Sequence, residues 1–158
     1  MMNLRTLSFI CLSLVACGGS SLVGTWSGNN IPTTITQISA VDATVTFTAG
    51  DMNAKITAKD ATNMKVADIS AAATYTSTDT QITMTLTSVS GTNNSGGALT
   101  TSTSGTGTSE ALCVTPPGVD PVCITKVQTS SYTVKGTELN TQIQTSTGTV
   151  IPLKLTKK

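Results

Sequence analysis

The sequence predicts an all-β chain, an antiparallel up-and-down barrel with a β-sandwich as the alternative. Three observations carry this. Apolar residues alternate with polar ones: Val45 and Phe47 lie among Thr44, Thr46 and Thr48, and Ile82, Met84 and Leu86 among Thr83, Thr85 and Thr87. Ile151, Leu153 and Leu155 alternate in the same way with Pro152, Lys154 and Thr156. A period of two sends one face to a core and the other to water. Thr accounts for 33 of 158 residues, and its β-branch favours extended backbone. Finally, Tyr75-Thr76-Ser77-Thr78-Asp79-Thr80-Gln81-Ile82 parallels Tyr132-Thr133-Val134-Lys135-Gly136-Thr137-Glu138-Leu139, and Leu86 matches Ile143 at the same offset. Each unit reads as a strand ending in Tyr, a polar turn and a strand leading out, as a meander requires.

In chain order, strands are expected near 23–28, 33–39, 43–49, 53–59, 63–69, 72–77 and 81–89, then near 110–115, 121–127, 129–135, 138–145 and 149–156. Some of these pairs merge, leaving nine or ten. The stretch from Ala54 to Ala73 has the weakest alternation, and a short helix competes there. Residues 91–109 are almost wholly Gly, Ser, Thr and Asn. That composition buries little, so a flexible, solvated insert is expected; the functional alternative is a contact loop or a glycosylated segment.

The N-terminus reads as an address. Arg5 precedes an apolar run of about ten residues, Leu7 to Ala16, too short to span a bilayer but right for a signal-peptide core. It ends in Leu14-Val15-Ala16-Cys17, which resembles the lipobox of bacterial lipoproteins. The resemblance implies a signal peptide over residues 1–16, cleavage before Cys17 and acylation of Cys17. A lipidated tether over 17–21 and a β domain over 22–158 would follow. Two or three acyl chains anchor a protein essentially permanently, one only marginally. With Gly18 after the Cys, the sorting pattern of such lipoproteins favours the outer membrane of a Gram-negative envelope.

Nine Lys+Arg stand against eight Asp+Glu, so no basic excess exists to neutralise nucleic-acid phosphates. After loss of Arg5 the remaining chain is neutral and holds no Arg. Four aromatics remain, Trp26, Phe47, Tyr75 and Tyr132, too few for a stacking platform. The absence of His removes the usual general base and the commonest metal ligand. The acids Asp42, Asp51, Asp60, Asp68, Asp79, Glu110, Asp120 and Glu138 sit singly, as turn residues do. Asp60-Ala61-Thr62-Asn63 and Asp51-Met52-Asn53 offer oxygens but lack EF-hand spacing. No Walker A or dinucleotide motif is present. The reading is a protein without catalytic site, metal or cofactor. Thr-x-Thr runs can form flat binding ladders, but only on a regular stacked repeat; here they read as wet strand faces.

Cys113 and Cys123 flank Pro116-Pro117-Gly118-Val119-Asp120-Pro121, a turn sequence. If Leu112 faces Ile124 and Val114 faces Val122 on the inner side, the two Cys face each other on the other side. A disulfide there closes a loop of about eleven residues, worth roughly 2.5–3 kcal/mol on the chain-entropy model. The alternative is a redox pair or metal site, but the gap is not CxxC and no His accompanies it.

Leu22-Val23-Gly24-Thr25-Trp26 opens the β domain. Gly-x-Trp on a first strand, followed by a meander of amphipathic strands, resembles the lipocalin-like domains of bacterial lipoproteins. The resemblance implies a small antiparallel barrel, a ligand class of small apolar molecules, and a role for Trp26 as a plug at the closed end; plain core packing is the simpler role for that ring. Many lipocalins carry an Arg packed on this Trp, and none remains here. The expectation is a membrane-anchored, non-enzymatic lipoprotein that binds a small apolar ligand. The alternative is a structural or interaction lipoprotein with a filled core, using its loops on an envelope protein partner.

Overall fold

The computed structural model describes residues 21–158, so Cys17 and the expected signal segment lie outside the described residues. Five strands come first: β1 (Gly24–Pro32), β2 (Ala40–Phe47), β3 (Asp51–Lys59), β4 (Lys65–Ser77) and β5 (Gln81–Asn93). Three short strands follow, β6 (Thr100–Ser104), β7 (Ala111–Thr115) and β8 (Val122–Thr125). The chain closes with β9 (Val127–Ser131), β10 (Thr133–Lys135), β11 (Glu138–Gln144) and β12 (Val150–Lys157).

Nine strands form one antiparallel, nearly closed, barrel-shaped sheet in the order β10-β11-β12-β1-β2-β3-β4-β5-β9. The order is that of a meander rolled up. β12 returns to β1 through Trp26↔Lys157 and Ser27↔Thr156, and β9 and β10 are separated by Tyr132 alone. Counted as one strand bent at Tyr132, they complete a barrel of eight staves. β6, β7 and β8 form a separate sheet packed over one end.

Alternation delivers the core as expected. Along β2, Val41, Ala43, Val45 and Phe47 are buried between half-exposed Asp42, Thr44 and Thr46; along β12, Ile151, Leu153 and Leu155 are buried. Outward Thr residues pair across strands, Thr25 with Thr46 at 3.1 Å and Thr83 with Thr129 at 2.9 Å between hydroxyls, the sheet's form of lateral side-chain support.

Three expectations change. Residues 33–39 form a turn instead of a strand: the Thr33 hydroxyl donates to the Ile38 carbonyl at 2.7 Å and accepts from the Ile35 amide, while Gln37 takes a left-handed φ of 68°. This local bonding competes with strand pairing and folds Ile38 into the core. The stretch from Ala54 to Ala73 holds no helix but the β3–β4 hairpin, with Ala54 opposite Ala71 and Ala58 opposite Ala67. The strands expected at 63–69 and 72–77 merge into one, β4, as the expected merging of pairs allowed. Residues 91–109, expected as a flexible solvated insert, contain the end of β5, all of β6 and a short 3₁₀ turn. The side chains of β6 are exposed, so composition foretold solvation correctly; its backbone is nevertheless laddered from Thr100↔Thr115 to Ser104↔Ala111. Buried Leu99, against Ala67 and Val114, ties the segment down.

The two Tyr units of the repeat perform one task. The Tyr75 amide donates to the Gly50 carbonyl (2.8 Å) and its hydroxyl to the Thr48 carbonyl (2.7 Å). The Tyr132 amide donates to Thr80 (2.9 Å) and its hydroxyl to Thr78 (2.7 Å). Each Tyr thus satisfies two carbonyls of another hairpin turn at the same barrel end. The Tyr75 ring also meets Phe47 edge-on at 5.1 Å.

Surface carboxylates tie strands and turns together. Asp42 accepts from Lys59 at 2.7 Å and from the Asn30 amide at 2.8 Å. Asp68 accepts from Lys65 at 2.9 Å and from the Thr57 hydroxyl at 2.7 Å. The lysine hydrogen bond is the main cause holding each carboxyl below its ordinary pKa, and the second donor adds to it. A depressed folded-state pKa stabilises the fold above the unfolded value and loses that contribution as pH falls through the folded value. The thermal midpoint is therefore expected to be flat from neutral pH to about pH 5 and to fall below about pH 4. An Asp42→Asn, Asp68→Asn double variant should show a smaller fall in the same scan; an unchanged acid slope would refute the assignment.

Candidate functional site

The barrel has two unlike ends. One carries the turns at 48–50, 78–80 and 136–137, with Trp26 beneath them. The Trp26 indole is fully buried, and its Nε1 donates to the Leu22 carbonyl at 2.7 Å. Lys157 Nζ lies over the ring, 5.3 Å from its centroid, within cation–π range. The lysine passes over Gly24: a Cβ there would meet Lys157 Cε at 2.9 Å, and Gly24 has a φ of +133°. Gly-x-Trp thus has a local physical reason, since Gly24 clears the path for the cation that covers Trp26.

At the other end the β6–β8 sheet forms a cap. Cys113 and Cys123 are disulfide-bonded and sit opposite each other in the β7–β8 ladder, flanked by the pairs Leu112↔Ile124 and Val114↔Val122. Val114, Val122 and Ile124 face the barrel interior, so the register expected for this hairpin is the one formed. Ser146 donates to the Cys123 carbonyl at 2.8 Å, fastening the β11–β12 turn to the cap. Lys126, just after β8, makes a two-pronged ion pair with Glu110 at 3.0 Å to each oxygen.

Between the Trp26 end and the cap lies a cavity of about 120 Å³. Its walls are almost wholly apolar, running from Phe47, Met52 and Ile82 up to Val114 and Ile124. Trp26 forms no part of the wall; it lies below. The space exists because inward positions are small where β2, β3 and β4 meet. Ala43, Ala54 and Ala71 line it, with Ala54 facing Val45 on one side and Ala71 on the other. An inward Leu at such positions would close it.

The polar part of the wall lies on one side, where β9 and β11 face each other without a backbone ladder. Side chains replace the ladder: Gln128 accepts from the Gln144 amide at 2.9 Å and donates to the Thr125 carbonyl at 3.1 Å. The Thr141 hydroxyl donates to the Ser131 carbonyl at 3.3 Å. Gln128 is 8% exposed and, with Thr125, Lys126 and Thr141, lines the cavity.

Of the residues singled out from sequence, Cys113 and Cys123 are brought together, Trp26 is placed at the end opposite the cap, and Cys17 lies outside the described residues. Sequence reading missed the inward alanines, Gln128 and Lys157. Only the alanines left a signal, the weakened alternation of 54–73. Of the acids read as turn residues, Asp42 and Asp68 instead lie within β2 and β4; the Asp60 carboxylate accepts from the Thr62 amide and hydroxyl and the Met64 amide, closing the β3–β4 turn. Among the described residues, no three His, Cys, Asp or Glu converge as metal ligands. Comparison with protein-family models, curated proteins and solved structures finds no match for this chain.

Proposed function

We propose that this chain is a non-enzymatic lipoprotein of the bacterial cell envelope, lipid-anchored through Cys17, whose barrel binds a small apolar molecule in its interior. The observation that carries the binding half is the apolar cavity of about 120 Å³ under the cap. A filled-core interaction protein would instead need a solid interior and a continuous apolar surface patch. The large exposed apolar side chains Val23, Met64, Val127 and Val150 are spread over separate segments. Up-and-down barrels of eight strands are just wide enough for one small ligand. The lipocalin-like likeness gains support from Lys157, which supplies over Trp26 the cation that an Arg provides in that family.

The anchoring half rests on the lipobox-like Leu14-Val15-Ala16-Cys17. β1 begins at Gly24, so an acylated Cys17 would leave only a short tether of about 20 Å between barrel and bilayer. In a Gram-negative envelope, Gly18 favours the outer membrane. Replacing Cys17 by Ser should move the protein from the membrane fraction to the soluble fraction of the envelope; continued membrane association would remove the anchor.

Binding is tested by native mass spectrometry of residues 18–158, exported without the lipid and purified gently. A stoichiometric added mass is the expected result, and its fragmentation gives the ligand class. A bare mass, with no shift on adding small hydrocarbons, would turn the reading to a filled-core partner of another envelope protein.

A further inference from the structure

The chemistry of the cavity wall narrows what it accepts. Its volume, about 120 Å³, is close to the roughly 150 Å³ of an engineered apolar cavity that takes benzene. The occupant is therefore compact, of about one aromatic ring or an equivalent aliphatic group. Most of the wall offers only carbon. The β9–β11 side differs, and its hydrogen-bonding capacity can be counted. A Gln side chain has two N–H donors and an oxygen with two lone pairs. Gln128 uses one donor on the Thr125 carbonyl and one lone pair on the Gln144 amide, leaving one donor and one acceptor. Thr141 gives its proton to the Ser131 carbonyl and keeps an acceptor. Lys126 is already neutralised by both oxygens of Glu110, so no unpaired cation is left for an anion, and a carboxylate brought into this wall would stay unpaired at a large desolvation cost.

We infer that the cavity, on the apolar-ligand reading above, is selective for an uncharged molecule of about ring size bearing one hydroxyl or carbonyl group, and that Gln128 holds that group. Gln128 is then the specificity residue of the site. The strands place it there for a structural reason. It spans the gap that β9 and β11 leave unladdered, so its amide is held in one orientation on the wall of the apolar space.

Toluene, benzyl alcohol and benzoate differ in head group at nearly constant size. Their affinities for residues 18–158 at neutral pH, measured by ligand-observed NMR titration, test the inference. A hydroxyl buried without a partner loses about tenfold or more in affinity against the hydrocarbon. With Gln128 as partner, benzyl alcohol should bind at least as tightly as toluene and about tenfold or more tighter than benzoate. In Gln128→Met, of similar volume, benzyl alcohol should weaken about tenfold while toluene stays within about threefold. Toluene binding with benzyl alcohol weaker than toluene in the unaltered protein would overturn the inference and leave the apolar-cavity reading standing. Tighter binding of benzoate than of the alcohol would overturn it equally. Failure of all three probes would overturn both. The comparison in the unaltered protein can overturn the inference even if the variant does not fold.

Discussion

Replacing Trp26 by alanine is expected to destabilise the barrel by about 3–5 kcal/mol, the range for deleting a buried large aromatic. The indole is fully buried, so its removal leaves a void in the core cluster that it shares with Leu139, Leu155 and Phe47. It also orphans the Leu22 carbonyl, which accepts from Nε1 at 2.7 Å, and strips Lys157 of its ring. Urea unfolding monitored by far-ultraviolet circular dichroism reads the loss. Trp26→Phe should recover most of the packing and lose about 1–2 kcal/mol for the missing N–H donor. Gly24→Ala should cost about 1–3 kcal/mol, because its φ of +133° disfavours any side chain; Lys157 Cε, which a Cβ would meet at 2.9 Å, belongs to a flexible side chain that can shift aside. A Trp26→Ala loss below about 1 kcal/mol would mean that the end of the barrel is held by its turns and not by the indole.

The second large effect is on binding. Ala54→Leu is expected to abolish uptake of toluene-sized probes while leaving stability within about 1.5 kcal/mol of the parent or slightly above it, as cavity filling does. Ala54 is buried on the cavity wall and opposite Ala71, so three added carbons enter empty space. The same change at Ala67 should behave in the opposite sense. Ala67 is fully buried against Leu99 and Val114 and forms no part of the cavity wall. Overpacking there should cost about 1–3 kcal/mol and loosen the cap. Probe titration and thermal melts on the two variants separate the cases. Equal effects at both sites would mean that the space by Ala54 is no cavity in solution.

The lateral repeat of Tyr75 and Tyr132 illustrates how far local pattern reaches. Their equivalence was readable from spacing, and so was the hairpin each one introduces. Which carbonyls they satisfy was not, because Thr48 and Thr78 lie 27 and 54 residues away from them in the chain. The insert shows the opposite limit. Its composition speaks for solvated side chains, which is true of β6. Its backbone is ordered by pairing with β7, and pairing partners leave no trace in the composition of either strand. The alanines of 54–73 blurred the alternation and admitted a helix, since Ala is a good helix former. Sheet pairing on both sides of β3 overrides that propensity.

The sequence by itself determined the all-β class, the inward and outward faces of the long strands, and the facing of Cys113 and Cys123 across a Pro-rich turn. All three follow from a period of two and from turn chemistry, which act over a few residues. The return of β12 to β1, the seating of the cap, the cavity beside Ala54 and Ala71, and the bridge made by Gln128 were decided only in the tertiary structure. Closure depends on the summed twist and stagger of all the staves. An internal space is a difference between the volume the sheet encloses and the volume its side chains fill, and no single segment carries that difference.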